Sequence, residues 1–486
     1  MRLSELLREV EFEGSIKNDF DIKFVTDDSR LVRPGALFVC IRHRSFDGHT
    51  AAAEALASGA AAVVTQERLG LENELNVADS RAAYARLCAA LCGHPERKLR
   101  MIGVTGTNGK TTVTTLIRNI LSDSGIKTLL TGTVCNRLGE ESLPSGLTTP
   151  KPPELYSLLS RAVLSGCEAC VAEASSQALA QGRLEGIAFD AAVFTNITRD
   201  HLDYHGTFEN YLAAKKKLFE HSKVSAVNLD DPRADEIIAA SSGKTVTFST
   251  VLDCADYTAK NISLLPEGVS FELVSKGRIE HINFASPGLF SVSNAMAAAV
   301  CAINLGVDPR SAVQSLARSK GVCGRLERVE CGTPYSVIID YAHTPDGLEQ
   351  VLRALRPSCR GKLIVLFGCG GDRDKTKRPL MGAAACKYAD PVIVTSDNPR
   401  SEEPMKIIGD ILKGTDKKRR GLFIEEDRRR ATALALSLAK PGDTVLLAGK
   451  GHEKYQLICG EKLPLDERET VREILGLPHD TGRKKP

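Results

Sequence analysis

Gly103-Val-Thr-Gly-Thr-Asn-Gly-Lys-Thr-Thr112 is the segment that most constrains the fold of this chain. The short apolar run Met101-Ile-Gly-Val104 predicts a strand that leads into it. After it, the apolar residues between positions 112 and 122 recur at helical spacing and predict a helix. A strand, a glycine-rich turn, a Lys-Thr pair and a helix form the architecture of a phosphate-binding loop. Backbone N–H groups of such a loop and of the helix N-terminus point at phosphate oxygens.

The loop predicts an ATP site, although its spacing is shorter than usual. The usual pattern has four residues between its first glycine and the Gly-Lys pair, and position 104 is Val here. Lys110 would reach the terminal phosphates, and the Thr111 hydroxyl would bind Mg²⁺. The alternative is an ordinary glycine turn that caps a helix. The candidate ATP-binding residues of the loop are Gly106, Thr107, Asn108, Gly109, Lys110, Thr111 and Thr112.

Strands alternate with helices along the rest of the chain, which predicts an α/β fold. We expect three domains: residues 1–98, an α/β domain; residues 99–327, a central parallel sheet of the phosphate-loop ATPase type; and residues 328–486, a Rossmann-like domain. Alternating polar and apolar residues between about 243 and 285, such as Thr245-Val-Thr-Phe248, predict a small antiparallel patch in the central domain. In the last domain polar clusters follow the predicted strands, where open parallel sheets bind ligands.

Composition excludes several classes of protein. The 64 Lys and Arg nearly balance the 61 Asp and Glu, and no basic stripe indicates a nucleic-acid partner. The 14 cysteines are scattered, and the only CxxC pair, Cys167 and Cys170, lacks the second pair that a zinc ribbon needs. A charged N-terminus and the absence of long apolar runs indicate neither a signal peptide nor a membrane span. We therefore expect a cytoplasmic protein without a membrane partner, and no regular structure in the basic tail Gly482–Pro486.

Several further motifs occur in a fixed order. Thr26-Asp-Asp-Ser-Arg30 and Asp47-Gly-His49 come before the loop, and Thr195-Asn-Ile-Thr-Arg-Asp-His-Leu-Asp-Tyr-His205 comes after it. Gly324-Arg-Leu-Glu-Arg-Val329 and Asp340-Tyr-Ala-His-Thr-Pro-Asp346 follow. Together with Gly-Thr-Asn-Gly-Lys-Thr, these motifs resemble the Mur ligases over nearly the whole chain. The related folylpolyglutamate synthetases share the loop but lack the two N-terminal motifs.

The resemblance implies an ATP-dependent amide-forming ligase. In that reaction ATP phosphorylates the D-glutamate γ-carboxylate of UDP-N-acetylmuramoyl-L-Ala-D-Glu, and the amine of meso-diaminopimelate attacks the acyl phosphate. The resemblance implies that Lys110, Glu173, His201 and Lys215 are catalytic. It also implies that Thr111, Glu173, His201 and Lys215 hold Mg²⁺, with Lys215 carbamylated. From the residues alone, Glu173 is also compatible with a helix cap or a solvated strand end, and Lys215 with a solvated cationic face.

The remaining expected contacts also follow from the resemblance. Asn294, Arg325 and Asp340 match ATP-binding positions, and His343 belongs to the same signature. The UDP-muramyl-dipeptide positions are Ser29, Thr148, Thr149, Ser175, Gln181 and Arg183. The diaminopimelate positions are Arg373, Asp397, Asn398, Pro399, Arg400, Gly449 and Glu453. The segment Arg42-His-Arg-Ser45 departs from the expected glycine-containing turn, which leaves the uracil contacts around residues 42–49 open.

We expect Arg400 to select which amino acid the ligase adds. Diaminopimelate has one more carboxylate than lysine, and a guanidinium can bind a carboxylate through two hydrogen bonds. Asp397 and Asn398 can hold the adjacent ammonium, whereas a simple proline turn is the structural alternative. A lysine-adding ligase, a folylpolyglutamate-type ligase, a non-catalytic UDP-sugar binder and a motor-type ATPase remain alternatives. We also expect a monomer whose domains close around small-molecule substrates.

Overall fold

The structure is a computed structural model, and it describes residues 1–14, 16–43, 46–265, 267–319, 321–416 and 419–478. Arg44 and Ser45, within the atypical segment after residue 42, lie outside this range, as does the basic tail. The chain divides into two compact units. The first comprises Met1–Asp256 and Ala297–Ala312, and the second comprises Tyr257–Met296 and Val313–Pro486. The division into three domains at residues 98 and 327 stays a prediction.

The first unit begins with a four-stranded parallel sheet in the order β1-β2-β3-β4. The two central strands are buried along their whole length, because helices cover the sheet and the strands carry apolar residues on both faces. The elements are α1 (Leu3–Leu6), β1 (Phe24–Thr26), β2 (Ala36–Val39), α2 (Ala52–Ala57), β3 (Ala62–Thr65), β4 (Glu74–Asn76) and α3 (Ser80–Leu91).

A larger sheet of the same unit has the order β12-β11-β10-β5-β9-β6-β7-β8. Its strands pair in parallel except at the β6-β7 and β7-β8 edge. The carboxyl ends of β5, β9 and β10 therefore meet at one edge. The strands are β5 (Arg100–Thr105), β6 (Thr128–Thr131), β7 (Asn136–Leu138), β8 (Glu141–Leu143), β9 (Ala169–Glu173), β10 (Ala191–Phe194), β11 (Val224–Asn228) and β12 (Lys244–Ser249). The helices are α4 (Lys110–Asp123), α5 (Pro152–Leu164), α6 (Ser176–Ala180), α7 (Leu202–His205), α8 (Phe208–Lys216) and α9 (Ala234–Ala240).

The second unit contains a three-stranded antiparallel sheet and a six-stranded sheet in the order β16-β17-β21-β18-β19-β20. The six-stranded sheet is parallel except for its first pair. The three antiparallel strands are β13 (Tyr257–Leu265), β14 (Gly268–Ser275) and β15 (Arg278–Phe284). The six-stranded sheet comprises β16 (Glu327–Val329), β17 (Ser336–Asp340), β18 (Leu363–Phe367), β19 (Val392–Val394), β20 (Leu422–Ile424) and β21 (Thr444–Ala448). A separate antiparallel pair is formed by β22 (Tyr455–Ile458) and β23 (Glu461–Pro464). The helices are α10 (Leu289–Asn304), α11 (Pro309–Arg318), which with α10 spans both units, α12 (Pro345–Leu355), α13 (Lys377–Tyr388), α14 (Pro404–Leu412), α15 (Arg428–Leu438) and α16 (Glu467–Ile474).

The α/β fold with mainly parallel sheets and a small antiparallel patch is confirmed. Thr245–Phe248, the example given for that patch, lies in β12, which pairs in parallel with β11. Its alternation arises because Thr245 and Thr247 are half-buried while Val246 and Phe248 are buried, and a strand with one fully buried face shows this pattern in parallel and antiparallel pairing alike. The antiparallel strands are β13 to β15, which lie within the predicted range of about 243–285. Within the described ranges, each helix is too short or too polar to cross a bilayer.

Candidate functional site

The glycine loop connects β5 to α4 in a conformation that two glycines permit. Gly106 has φ +156° and Gly109 has φ +87°. A Cβ atom on Gly106 would lie 1.9 Å from Thr195 Oγ1, so no larger residue fits there without displacement. The helix begins at Lys110, two residues earlier than the apolar spacing indicates.

The segment after β10 holds this loop in place. Thr107 N–H donates to Asn196 O at 2.9 Å, and Asn108 N–H donates to Asn196 Oδ1 at 3.0 Å. The Thr195 hydroxyl donates to Asn108 O at 2.6 Å. Thr107 Oγ1 accepts from Thr198 N–H at 2.9 Å. These bonds fix the backbone of the loop before a ligand arrives, which is the preorganisation that phosphate binding requires.

Lys110 folds back over the loop. Its Nζ donates to Gly106 O at 2.8 Å and to Thr107 O at 2.9 Å. The ammonium is therefore held above the same backbone whose N–H groups would surround phosphates. This arrangement positions one positive charge where transferred phosphate charge would develop.

Glu173 ends β9 in a buried position, so the sequence alternative of a solvated strand end is wrong. Its exposed fraction is 1%. Its Oε2 accepts hydrogen bonds from Thr111 Oγ1 at 3.1 Å and from Thr133 Oγ1 at 3.0 Å, and its Oε1 accepts from Thr133 N–H at 2.8 Å. Gly132 is required beside it, because a Cβ there would lie 2.4 Å from Glu173 Oε1. The predicted pair Thr111 and Glu173 is thus assembled at the carboxyl edge of the sheet.

Lys215 is buried in α8, with an exposed fraction of 1%, so its alternative as part of a solvated face is wrong. Its Nζ lies 4.6 Å from the centre of the Tyr211 ring. Burial lowers the pKa of Lys215 well below its usual value, and the Lys110 cation adds to this effect. Lys216 and Lys217 are more exposed, so burial distinguishes Lys215 within the run of three lysines.

His201 immediately precedes α7 with φ +53°, and its side chain is half exposed. Partial burial lowers its pKa, with a contribution from the Lys110 and Lys215 cations and opposition from Asp200. Its ring packs edge-on to Tyr211, with 6.3 Å between ring centres. Tyr211 therefore contacts both His201 and Lys215, and its hydroxyl is 2.9 Å from Thr107 Oγ1.

These donors fit a magnesium ion. Mg²⁺ prefers oxygen ligands, and Thr111 and Glu173 present a hydroxyl and a carboxylate 3.1 Å apart. Within the described residues there is no cluster of three or more His, Cys, Asp or Glu side chains of the kind that holds a metal. The predicted set contains only two such residues, and its other members are a threonine and a lysine, which becomes an oxygen ligand only after carbamylation.

The predicted dipeptide positions form a connected polar strip beside Glu173. The Thr149 hydroxyl donates to Glu173 O at 2.6 Å and accepts from Ser175 N–H at 3.1 Å. Thr148 Oγ1 lies 3.0 Å from Thr133 Oγ1, whose proton goes to Glu173. Arg183 donates to Thr149 O at 2.7 Å and to Gln181 Oε1 at 2.7 Å. The structure therefore places Thr148, Thr149, Ser175, Gln181 and Arg183 together.

Ser29 lies elsewhere in the first unit, at the start of a short 3₁₀ turn. The neighbouring Asp28 accepts from Arg30 N–H and caps that turn. Asp27 accepts from the Tyr84 hydroxyl at 3.2 Å and from Lys151 Nζ at 3.1 Å. Ser29 itself is half-buried, and a hydroxyl there can serve a polar ligand.

In the second unit, Arg325 and Asp340 lie close together. Asp340 Oδ2 accepts from Leu326 N–H at 2.7 Å, and Asp340 Oδ1 accepts from Ala342 N–H at 2.7 Å. Burial raises the pKa of Asp340, and Arg325 opposes that rise. The Arg325 guanidinium stacks 4.8 Å from the centre of the Tyr341 ring. The centres of the Tyr341 and His343 rings are 4.7 Å apart. Asn294 is buried in α10.

The two loops that follow β19 and β21 supply the predicted amino-acid site. Asn398 Nδ2 donates to Glu453 Oε2 at 2.9 Å. A Cβ on Gly449 would lie 2.5 Å from Asp397 Oδ2. Asp397 and Asn398 are both buried, so this segment is more than an exposed proline turn. Asp397, Asn398, Gly449 and Glu453 are therefore brought together.

Arg373 lies in the neighbouring loop after β18, and Arg400, in the loop after β19, contacts that loop. Arg400 has φ +55°, and its Nη1 donates to Gly371 O at 2.8 Å. Gly371 itself leaves room for Pro399, since a Cβ would lie 1.9 Å from Pro399 O. Arg373 is exposed, and Nη1 makes a long 3.4 Å bond to Asp372 O. Most of the Arg400 hydrogen-bonding capacity within the described chain remains available to a ligand.

Sequence reasoning missed several residues of these sites. Thr133 and Tyr211 contact the predicted metal and lysine positions, but neither belongs to a motif that we recognised. Lys450 lies between Gly449 and Glu453 and is fully buried, which is rare for lysine. The one sequence feature that could have indicated a role for Lys450 is its position in the short polar run after β21.

The fold and the loop define a class: α/β proteins with a phosphate-binding loop at the carboxyl edge of a parallel sheet. Comparison with protein families matches residues 21–89 to "Mur ligase family, catalytic domain", residues 104–302 to "Mur ligase middle domain" and residues 324–451 to "Mur ligase, glutamate ligase domain". The chain belongs to the Mur ligase family.

Two curated relatives are named UDP-N-acetylmuramoyl-L-alanyl-D-glutamate–2,6-diaminopimelate ligase. The protein of Syntrophomonas wolfei is 43% identical, and that of Caldanaerobacter subterraneus is 44% identical. Each match covers 98% of this chain and 99% of the relative. A solved structure with the same name is 35% identical with a TM-score of 0.72, and the match covers 98% of this chain and 99% of that one.

More distant structures share the fold. MurF ligase from Thermotoga maritima in complex with ADP has a TM-score of 0.60 at 19% identity, with 94% of this chain and 97% of that chain covered. Folylpolyglutamate synthase of Mycobacterium tuberculosis, solved with ADP and AMPPCP, has a TM-score of 0.62 at 18% identity. That match covers 82% of this chain and 95% of the other.

Proposed function

We propose that this chain is the ligase that adds meso-diaminopimelate to the γ-carboxylate of the D-glutamate in UDP-N-acetylmuramoyl-L-Ala-D-Glu, with conversion of ATP to ADP and phosphate. The main support is the buried Thr111–Glu173 pair beside Lys110 in the glycine loop, in a chain whose full-length relatives bear that ligase name. The reaction serves the synthesis of cell-wall peptidoglycan precursors in the cytoplasm. We propose that the enzyme acts as a monomer on small-molecule substrates.

The first step joins two anions, so the chain must neutralise phosphate charge. At about 4 Å two like charges repel by about 4 kcal/mol at intermediate dielectric. Lys110 and the N–H groups of residues 106–111 stabilise the β- and γ-phosphates of ATP. Mg²⁺ held by Thr111, Glu173, His201 and carbamylated Lys215 would neutralise phosphate charge and polarise the transferred phosphoryl group.

The proposed reaction consists of two displacement steps. A γ-carboxylate oxygen of D-glutamate bonds to the γ-phosphorus of ATP, and the bond to the ADP oxygen breaks. The neutral amine of diaminopimelate then attacks the acyl carbon, and inorganic phosphate leaves while the amine loses one proton. The polar strip of Thr148, Thr149, Ser175, Gln181 and Arg183 orients the muramyl dipeptide, and Ser29 contacts the uridine end.

Ionic complementarity selects the amino acid. The free N–H groups of Arg400 bind the distal carboxylate of diaminopimelate, while Asp397 and Glu453 face its ammonium and Arg373 supports the other carboxylate. Lysine would leave Arg400 unpaired, which costs about 1–3 kcal/mol or more for a charged group. This difference favours diaminopimelate over the lysine-adding alternative.

Other functions are less well supported. A folylpolyglutamate-type ligase shares the fold, but this chain carries the N-terminal Thr26–Arg30 and Asp47–His49 motifs, which that class lacks. A non-catalytic UDP-sugar binder has no need for a buried Lys215 or for Lys110 over a phosphate loop. Neither alternative accounts for the connected strip beside Glu173.

An isotope experiment tests the proposed chemistry. The dipeptide nucleotide is labelled with ¹⁸O in the D-glutamate γ-carboxylate and incubated with ATP, Mg²⁺ and meso-diaminopimelate. The proposal predicts one ¹⁸O atom in each inorganic phosphate released, and release only when all substrates are present. Phosphate without label, or ATP turnover independent of the dipeptide nucleotide, would contradict it. Lys110→Ala provides the catalytically impaired control, and the exposed Lys223→Ala provides the matched neutral one.

A further inference from the structure

Lys450 is a fully buried cation that no role proposed above uses. Its exposed fraction is 0%. Its Nζ donates to Asn398 Oδ1 at 2.8 Å and to Glu453 Oε2 at 2.6 Å, and it lies 4.0 Å from Asp397 Oδ1. Asn398 Nδ2 closes the network by donating to the same Glu453 Oε2. A buried ammonium is costly unless it is paired and hydrogen-bonded, so this network is a specific arrangement.

Lys450 determines the orientation of the Asn398 side-chain amide, that is, which positions its oxygen and its nitrogen occupy. Asn398 Oδ1 accepts from both Lys450 Nζ and Leu457 N–H, the latter at 2.9 Å. A carbonyl oxygen has two lone pairs, so this oxygen is saturated. Nδ2 has two N–H groups, and one is used by Glu453. The amide is left with one N–H donor and no acceptor, which suits a carboxylate ligand rather than the ammonium that the sequence suggested for Asn398.

We propose that Lys450 is a positioning residue of the amino-acid site, which fixes Asn398 as a carboxylate donor and holds Asp397 and Glu453 together as the ammonium-binding pair. This inference rests on the proposed function. Lys450 itself has no exposed surface and acts through these three side chains. The chemistry it organises is that of an α-amino acid end group, which offers one ammonium and one carboxylate.

The negative charges of Asp397 and Glu453 give a second reason why a cation is buried at position 450. Asp397 and Glu453 are two carboxylates on adjacent loops, and Lys450 is within 4.0 Å of both. Arg428, a buried cation beside the same loop, is committed elsewhere: it pairs with Glu467 at 2.7 Å and donates to Ser396 O and Ala448 O. Without Lys450, the two carboxylates would repel each other and the Asn398 amide could rotate.

The test is steady-state kinetics of Lys450→Met with each substrate varied in turn. We expect the KM for meso-diaminopimelate to rise by about 30-fold or more, because a buried partner of two polar groups is removed. The KM values for ATP and for the dipeptide nucleotide should stay within about twofold of wild type. Lys454→Met is the matched control, since Lys454 is four residues along and 74% exposed, and it should change none of the three.

Non-additivity separates positioning from general destabilisation. Because Lys450 acts through Glu453, the double variant Lys450→Met/Glu453→Gln should raise the KM for diaminopimelate little beyond the more severe single variant. Independent, multiplied effects would overturn the proposal, as would a Lys450→Met enzyme with an unchanged KM for diaminopimelate. Lys450→Gln keeps hydrogen-bonding groups without the charge and replaces the Met variant if that variant does not fold. A wild-type enzyme that makes no product would instead refute the proposed function, so the two failures are distinguishable.

Discussion

Lys215 differs from its neighbours by its surroundings rather than by its sequence. The run Lys215-Lys-Lys217 ends α8, and a helix surface is where lysines are normally solvated. Tyr211, one turn earlier, covers Lys215 and leaves Lys217 outside. Burial and the Lys110 cation lower the Lys215 pKa, which increases the neutral amine that reaction with carbon dioxide requires. The buried position and the lowered pKa of Lys215 therefore support the carbamate proposal.

Replacing Lys215 tests that role. We predict that Lys215→Ala lowers the rate of product formation about 100-fold or more, because a ligand of the metal would be lost. Formate or acetate should restore part of the activity by replacing the missing carboxylate. Lys217→Ala is the matched control and should retain wild-type rates. Full activity of Lys215→Ala without added carboxylate would rule out the role.

Gly132 offers a second test at the scale of single residues. In Gly132→Ala the new Cβ would meet the Glu173 carboxylate, a flexible group that can move aside. We predict little change in thermal stability but a magnesium requirement raised about tenfold or more, since Glu173 would leave Thr111. Gly146→Ala, where nothing lies within 4 Å of the added carbon, is the control. An unchanged magnesium dependence would show that Glu173 does not hold the metal.

At the scale of elements, continuous apolar runs in the sequence coincide with strands of the parallel sheets. Ala191–Phe194 and Leu363–Phe367 are continuous apolar runs because both of their faces are buried, and the observed strands have these same bounds. Thr245–Phe248 shows the alternation expected of an antiparallel strand although β12 pairs in parallel with β11, because only one of its faces is fully buried. The contacts of Thr133 with Glu173, and of Lys450 with Asn398, join residues 40 and 52 positions apart. Such contacts depend on how loops approach one another, and local periodicity contains no information about that.

An ion-pair network stabilises the loop that carries Arg373. Arg378 is fully buried and donates to Glu402 at 2.7 Å, and Glu402 accepts from Asp372 N–H at 2.7 Å. The Arg378 hydrogen bond lowers the pKa of Glu402 to about 2. Because the folded pKa lies below the ordinary value, the stabilisation is present above about pH 4.5 and is lost as the pH falls toward about 2.

The pH dependence of stability tests this ion-pair network. We predict that Glu402→Gln lowers the free energy of unfolding by about 2–3 kcal/mol at pH 7. The difference from wild type should shrink progressively below pH 4.5, as measured by urea unfolding at several pH values. Glu403→Gln, at an exposed neighbouring carboxylate, is the matched control. A difference independent of pH would mean that charge is not responsible.

At the scale of the whole molecule, the residues assigned to one reaction are divided between the two units. Lys110, Glu173 and Lys215 belong to the first, and Arg325 and Arg400 to the second. A single reaction requires them to act together, so we predict a monomer that changes conformation when substrates bind. Small-angle scattering should show a profile that changes when an ATP analogue and the dipeptide nucleotide are added together. An identical profile with and without them would contradict this prediction.

The identity of the amino acid added is the central claim, and one competition assay tests it most directly. The enzyme receives ATP, Mg²⁺ and UDP-N-acetylmuramoyl-L-Ala-D-Glu with equal concentrations of meso-diaminopimelate and L-lysine, and the products are separated by mass. We predict almost exclusively the diaminopimelate product, and a preference that falls at least about tenfold in Arg400→Ala because the distal carboxylate loses its partner. Product formed mainly with lysine would contradict the assignment of the amino acid, and no product with either would contradict the ligase itself.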